Sequence, residues 1–365
     1  MTGFDGLRIA LVGPLPPPAG GMANQTRQLA ELLRGAGADV TVVQTNAPYR
    51  PSWVGRLPVL RALFRLLPYL LGLWRAAGRS DLFHVMANSG WSWHLFAAPA
   101  IRIGAWRRVP VVVNYRGGEA GSFLARAHHK VRRTLAGGNA LLVVPSGFLQ
   151  GVFARHGIES QVVPNIVDLT RFRPATGDRP RGAHLVVVRS LEPIYDNANA
   201  VQALAILRRD HPEARLTIAG SGPEGPALAA LVASLGLQAA VTMTGRLDRE
   251  EVAALYRQAD VAINPSTVDN MPNSVLEALA SGVPVVSTDV GGVPFIVRDG
   301  HTALLVPPGN PVAMAAALRR LLDNPELAAM LVQAGMAEVG RYTWARVSTE
   351  LGAAYSNALN TAACK

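Results

Sequence analysis

A single cysteine, Cys364, and only two lysines, Lys130 and Lys365, stand in the 365 residues. One thiol without a partner excludes a disulfide framework and a thiolate metal site, and it fits a reducing, cytoplasmic setting. There is also no D-x-D, no H-E-x-x-H and no Walker A lysine, so metal-held nucleotide diphosphates, zinc hydrolysis and P-loop phosphotransfer lose their usual carriers. No metal and no cofactor is expected. Charged residues make up 16% and aromatic ones 6%, against 49% hydrophobic, a composition for large buried cores and against disorder. Long apolar runs are missing as well. The longest, Leu57 to Trp74, is interrupted by Arg61, Arg65 and two prolines, where a membrane span needs about 20 apolar residues. The opening LRIALVG soon meets Pro14, Pro16, Pro17 and Pro18, which suits a first β-strand better than a secretory signal.

What is present is positive charge, unevenly spread. Net charge is +10, and residues 50–133 hold thirteen arginines and Lys130 against Asp81 and Glu119, leaving the remainder slightly negative. An anionic membrane surface is the expected partner of that stretch. Nucleic acid is not, since zinc-finger spacing and RNA-binding signatures are absent. On a helical projection Leu60, Phe64, Leu67, Leu71 and Trp74 form one stripe flanked by Arg61, Arg65 and Arg75, suited to an interfacial helix that prolines would break or kink. A core helix with a solvated basic edge is the other reading. His128 and His129, being adjacent, are expected on different helix faces as surface residues rather than metal ligands.

Short Val, Ile and Leu strands alternate with amphipathic helical stretches, the pattern of parallel α/β layers. The strands include LRIALVG, DVTVVQT, PVVVNY and ALLVVPS, then HLVVVRS, ARLTIAG, DVAINPS and VPVVSTD. The length exceeds what one core usually serves, and RFRPATGDRPRG, Arg171 to Gly182, reads as a linker. Expected are a Rossmann-like domain over 1–172, a second over 183–341, and a terminal helix over 342–361 packing across them. Two such sheets would aim their binding loops into a central cleft.

Three loops carry candidate chemistry. Gly20 and Gly21 precede a helical stretch, where bare N–H groups and the helix dipole favour an anion, or where a tight turn alone requires glycine. GSGPEG, Gly220 to Gly225, fits a dinucleotide fingerprint, but it belongs to the second strand unit of its half and lacks the later acidic residue. In NPSTVDNMPNSVLEALASG, from Asn264, a strand gives way to a polar loop with Asp269, Asn270 and Asn273 and then a helix near Ser274. Asp269 can accept hydrogen bonds from sugar hydroxyls and Glu277 can grip a ribose diol. Alternatively, Ser274 and Glu277 form a capping box that only closes the helix.

These segments, with VPNIVD from Val163 to Asp168, GRLDREEVAALYRQAD and GGVPFIVRDG, resemble family 4 of the retaining glycosyltransferases over about residues 7–347. The resemblance implies the GT-B fold and a hexosyltransferase-type enzyme. It would move a sugar from a nucleotide diphosphate to a glycan or lipid-linked acceptor in surface polysaccharide assembly, peripherally at the cytoplasmic face of a membrane. It implies that Asp269 binds the donor sugar, Glu277 the nucleotide ribose, and that backbone groups of Asn270, Met271, Pro272, Asn273, Ser274 and Val275, with Gly20 and Gly21, contact sugar and phosphates. Asp269, Arg189 and Arg116 are the expected catalytic side chains, with Asn114 and Glu119 toward the acceptor. The chain departs from the family at three points. Asp269 replaces a glutamate, Tyr195 of RSLEPIY replaces a lysine that would join Arg189 on the diphosphate, and NYRGGEAG, from Asn114, replaces a histidine loop. Arg116 or Glu119 faces the acceptor there, or Arg116 merely closes the turn. The lost lysine leaves a noncatalytic GT-B scaffold that binds nucleotide sugar or a partner transferase as the alternative.

Overall fold

The computed structural model describes residues 3–17, 20–49, 58–177 and 182–363, and the side chains of all of these except 58–63 and 363. Cys364, Arg50, Arg56 and the side chains of Leu60 and Arg61, on which expectations above rest, lie outside the described residues. The chain forms two compact units, Met1–Asn165 with Val347–Lys365, and Ile166–Arg346.

The first unit runs β1 (Arg8–Gly13), α1 (Gly21–Gly35), β2 (Asp39–Gln44), α2 (Pro58–Ala77), β3 (Leu82–Ala87), α3 (Ala98–Arg107), β4 (Val111–Tyr115), α4 (Ala120–Gly137), β5 (Leu141–Val144), α5 (Gly147–Ala154) and β6 (Gln161–Val162). Its six strands pair in parallel in the order β2-β1-β3-β4-β5-β6. β3 and β4 are buried along their whole length, as strands covered by helices on both faces must be, and hence read as apolar runs rather than alternating ones. Trp93, Tyr115 and Phe153 are fully buried in this core. Truncating any one to alanine costs about 3–5 kcal/mol.

The second unit runs β7 (His184–Val188), α6 (Asn197–Leu207), β8 (Arg215–Ala219), α7 (Gly225–Ser234), β9 (Val241–Gly245), α8 (Arg249–Gln258), β10 (Val261–Asn264), α9 (Asn273–Ala280), β11 (Val285–Thr288), β12 (Leu304–Val306), α10 (Pro311–Asp323) and α11 (Pro325–Val339). Its sheet is again parallel, ordered β12-β11-β10-β7-β8-β9. The last helix, α12 (Trp344–Ala363), belongs to the first unit from Val347 onward. There Tyr355 meets Phe4 edge-on.

All eight strands named from sequence are present. The units divide at Asn165 and Ile166 rather than within 171–182, because Val167 and Phe172 pack into the second core beside Tyr256. Strand order reverses between β1 and β3 in one sheet and between β7 and β10 in the other. Ligands of open α/β sheets bind outside the carboxyl ends of strands at such switch points.

Candidate active site

Arg189 follows β7 and Asp269 lies in the loop after β10, on either side of the second switch point. The backbone carrying Arg189 is clamped by GSGPEG. A Cβ on Gly220 would stand 1.8 Å from the Arg189 carbonyl oxygen, and one on Gly222 would stand 2.3 Å from that of Leu191. Leu191 N–H donates to Ser221 and Glu224 N–H donates back to Leu191. These two glycines therefore exist for close backbone packing, which explains the fingerprint without a dinucleotide.

The Arg189 guanidinium makes an ion pair with Asp269, donates to Ser266 Oγ at 3.0 Å and reaches Ser274 Oγ at 3.5 Å. Both charged side chains are nearly buried, at 10% and 11% exposed. Tyr195, standing where the lysine was expected, lies flat beneath the guanidinium, 4.1 Å from its carbon to the ring centre. It supplies a π face to the cation rather than a second charge. Arg189 Nε is enclosed without an acceptor. Beneath the loop, Ser266 donates to Asn264, Asn264 to Ser287 and Thr288 to the Ser266 carbonyl, all buried. This network fixes the end of β10, and with it the position of Asp269.

Burial raises the Asp269 pKa, against the opposing pull of the Arg189 charge and the hydrogen bond from Asn270 N–H. Asn270 and Met271 are buried. The chain then enters α9 through Pro272, which caps the helix without any side-chain hydrogen bond. Helix entry at Pro272 puts Ser274 inside the first turn, and the capping box considered for Ser274 and Glu277 does not form. Ser274 instead receives Arg189 on its hydroxyl and Tyr256 OH on its carbonyl, the latter at 2.9 Å. Glu277 is half-buried. Burial pushes its pKa up to about 7, although Arg249, Arg189 and Arg171 all pull it down. A carboxylate held near neutrality among three arginines is poised to accept hydrogen bonds from a polar ligand.

In the first unit, Gly20 caps α1 in extended backbone with Gly21 as the first helical residue. A Cβ on either would meet nothing within 4 Å. Neither glycine is at positive φ, and among the described residues nothing crowds the helix start. Arg116, one residue past β4, donates through Nε to Asn114 Oδ1 at 2.6 Å. Asn114 is buried in the strand and its amide also bonds His84 Nε2 at 3.1 Å, while His84 Nδ1 meets Tyr355 OH at 2.8 Å. With both ends of its amide occupied and its side chain buried, Asn114 is not free to meet an acceptor, contrary to the expectation from sequence; it holds Arg116. Glu119 is exposed at the start of α4. Nothing in the sequence pattern pointed to His84 or Tyr355, which lie 271 residues apart.

Two further expectations change. α2 continues through Pro68 rather than breaking there, with Pro68 and Phe64 both exposed. His128 and His129, expected on different helix faces, lie with their rings tilted against each other and centres 4.0 Å apart, and His128 stacks on His156 at 4.9 Å. Among the described residues no group of three His, Cys, Asp or Glu is placed to hold a metal ion.

Residues 20–166 match the model of the glycosyl transferase 4-like domain, and residues 170–337 that of glycosyl transferases group 1. Glycogen synthase of Mycobacterium tuberculosis is 28% identical over 391 aligned positions, covering 96% of this chain and 94% of that protein. D-inositol 3-phosphate glycosyltransferase of Acidothermus cellulolyticus is 34% identical, over 54% of this chain and 48% of its own length. Among solved structures, Anabaena HepE in complex with UDP and glucose has a TM-score of 0.75 at 17% identity, covering 96% of this chain and 99% of that one. Sucrose-phosphate synthase of Thermosynechococcus elongatus has a TM-score of 0.74 at 22% identity, covering 97% and 100%.

Proposed function

The chain belongs to the group 1 glycosyltransferases and has their GT-B fold, and on that premise we propose that it is a retaining transferase using a nucleotide diphosphate sugar, of the UDP type, as donor. The observation that carries this reading is the Arg189 and Asp269 pair at the second switch point. In the proposed reaction the bond from the anomeric carbon to the diphosphate oxygen breaks, an acceptor hydroxyl oxygen takes that carbon, and the hydroxyl proton is released. Arg189 neutralises the charge that develops on the departing diphosphate, an effect whose loss costs about 100- to 1,000-fold in comparable oxyanion sites. Asp269 orients the sugar and Glu277 the ribose, and in the first unit the α1 start at Gly20 and Gly21 is by itself a candidate for an anion. Asp269→Asn and Glu277→Gln each lower transfer while the circular dichroism spectrum is kept. Unchanged turnover in both removes them from the site. Donor binding without turnover over a broad panel supports the scaffold reading that Tyr195 motivates.

The acceptor is proposed to be glycan or lipid-linked, and the enzyme to work peripherally on the cytoplasmic face of a membrane in surface polysaccharide assembly. Among the described residues no helix is long and apolar enough to cross a membrane. Support comes from α2, whose Tyr69 and Leu73 enter the core while Phe64, Leu67, Leu71 and Trp74 stay exposed beside Arg75. Arg107 of α3 lies over Trp74 at 4.9 Å, and neighbouring Trp106 is 73% exposed. Aromatic and aliphatic groups among arginines suit an anionic bilayer surface, where each basic residue contributes about 1 kcal/mol. Sedimentation with vesicles containing phosphatidylglycerol is expected for the wild type and not for Leu71→Glu with Trp74→Glu. Equal sedimentation of both removes this face from the proposal.

A further inference from the structure

Arg116 is held by an unusual chain of neutral groups. Its Nε–H donates to the Asn114 carbonyl oxygen, so the Asn114 amide nitrogen must donate to His84 Nε2, which leaves the His84 proton on Nδ1, facing Tyr355 OH. Every link has one possible direction. The result is a guanidinium tethered at the carboxyl end of β4 by Asn114, which is itself held by His84 of β3 and, through it, by Tyr355 of α12. No ion pair to Arg116 is present among the described residues, and its Nη1 is enclosed with no acceptor. The side chain nevertheless remains partly exposed. Burial alone lowers its pKa to about 9, so it is still charged at neutral pH.

A buried donor left without a partner costs about 1–3 kcal/mol, and more when it is charged. A site that is merely structural would place a carboxylate there, as the second unit does for Arg189 with Asp269. Beside Arg116 the chain turns through Gly117, where a Cβ would lie 2.5 Å from Ser89 Oγ, 2.6 Å from Asn88 Oδ1 and 2.7 Å from Tyr115 OH. Polar side chains therefore crowd one side of the turn, while a Cβ on Gly118 would meet nothing within 4 Å. We propose that Arg116 is the receptor for an oxyanion carried by the acceptor, so that the enzyme glycosylates a phosphorylated or carboxylated acceptor in preference to a neutral one. Asn114, His84 and Tyr355 are its positioning residues. The inference rests on the glycosyltransferase reading for the word acceptor, and on the Arg116 geometry for the anion.

Two experiments separate those dependences. In arginine-selective 1H–15N spectra of the intact protein, the Arg116 Nε–H resonance, identified by its absence in Arg116→Gln, is titrated with inorganic phosphate, with acetate and with chloride at equal ionic strength. A saturable shift with phosphate or acetate and none with chloride is expected, and the more effective anion tells phosphate from carboxylate. A resonance indifferent to both overturns the proposal, whatever the transfer assays give. If Arg116→Gln does not fold, Arg116→Lys serves for the assignment. In transfer assays with matched alkyl glycosides that are neutral, phosphorylated or carboxylated, the wild type is expected to show an acceptor KM at least tenfold lower for one anionic member. Arg116→Gln abolishes that difference and leaves the donor KM unchanged. A preference that survives Arg116→Gln, or a wild type that favours the neutral glycoside, overturns the inference while leaving the transferase reading intact.

Discussion

Arg116 in the first unit and Arg189 in the second both stand one residue beyond a parallel strand, β4 and β7 respectively. One is tethered by a neutral amide that continues into a buried imidazole and phenol, the other by a carboxylate and two serine hydroxyls. The difference teaches what each can do. Arg189 and Asp269 compensate one another, so the loop around them is formed before a ligand arrives, and a diphosphate must compete for the cation. Arg116 has its geometry fixed but its charge uncompensated, which leaves the electrostatic part of the interaction for the ligand to supply.

The largest expected effect comes from cutting the charged pair. Arg189→Ala should lower sugar transfer by about 100- to 1,000-fold and also destabilise the second unit, because Asp269 loses its cation; single-turnover kinetics and urea titration read the two losses separately. Breaking the neutral tether comes next. Asn114→Leu leaves both Arg116 Nε and His84 Nε2 without partners, at about 1–3 kcal/mol each, and urea titration should show a lower midpoint at unchanged slope. If Asn114→Leu is as stable as wild type, the chain of neutral groups is not the restraint described.

The two units should also answer pH in opposite senses. His84 is buried and, with Arg116 nearby, its pKa falls to about 3. A histidine that charges more easily unfolded than folded contributes stability fully present above about pH 6.5 and lost as pH falls below it. Glu277, raised to about 7, does the reverse: its carboxylate costs nothing below about pH 4.5 and weighs increasingly against folding as pH rises to 7. Glu277→Gln should therefore raise Tm at pH 8 and not at pH 4, while His84→Gln flattens the acid side of the profile. Parallel Tm profiles for wild type and Glu277→Gln contradict the raised pKa. The smallest effect is Tyr355→Phe, which removes one end of the tether for about 1 kcal/mol.

That contrast also separates what sequence made legible from what it did not. Asp269, Ser274 and Glu277 share one strand, loop and helix, so their spacing made them a candidate site, with a helix-closing capping box as its alternative. The Arg116 tether joins β3, β4 and α12, and no local pattern connects His84 to Asn114 or Tyr355. LFHVMA was not among the strands named from sequence, and the histidine that interrupts its apolar run is buried in the sheet. Two local patterns, one discounted and one left open by the sequence, are resolved by the fold. GSGPEG has the spacing of a phosphate loop and serves to clamp the Arg189 backbone, and Ser274-x-x-Glu277 has that of a capping box but begins two residues past the Pro272 cap. In the first the deciding contact is with the backbone of Arg189 and Leu191, and in the second the Ser274 hydroxyl is taken by the Arg189 side chain.

Isothermal titration with UDP and UMP, using wild type and Arg189→Ala, tests the donor assignment most directly. The account predicts that wild type binds the diphosphate at least about tenfold more tightly than the monophosphate, a difference of about 1.4 kcal/mol, and that the preference disappears in Arg189→Ala. An undiminished preference in the variant would contradict it.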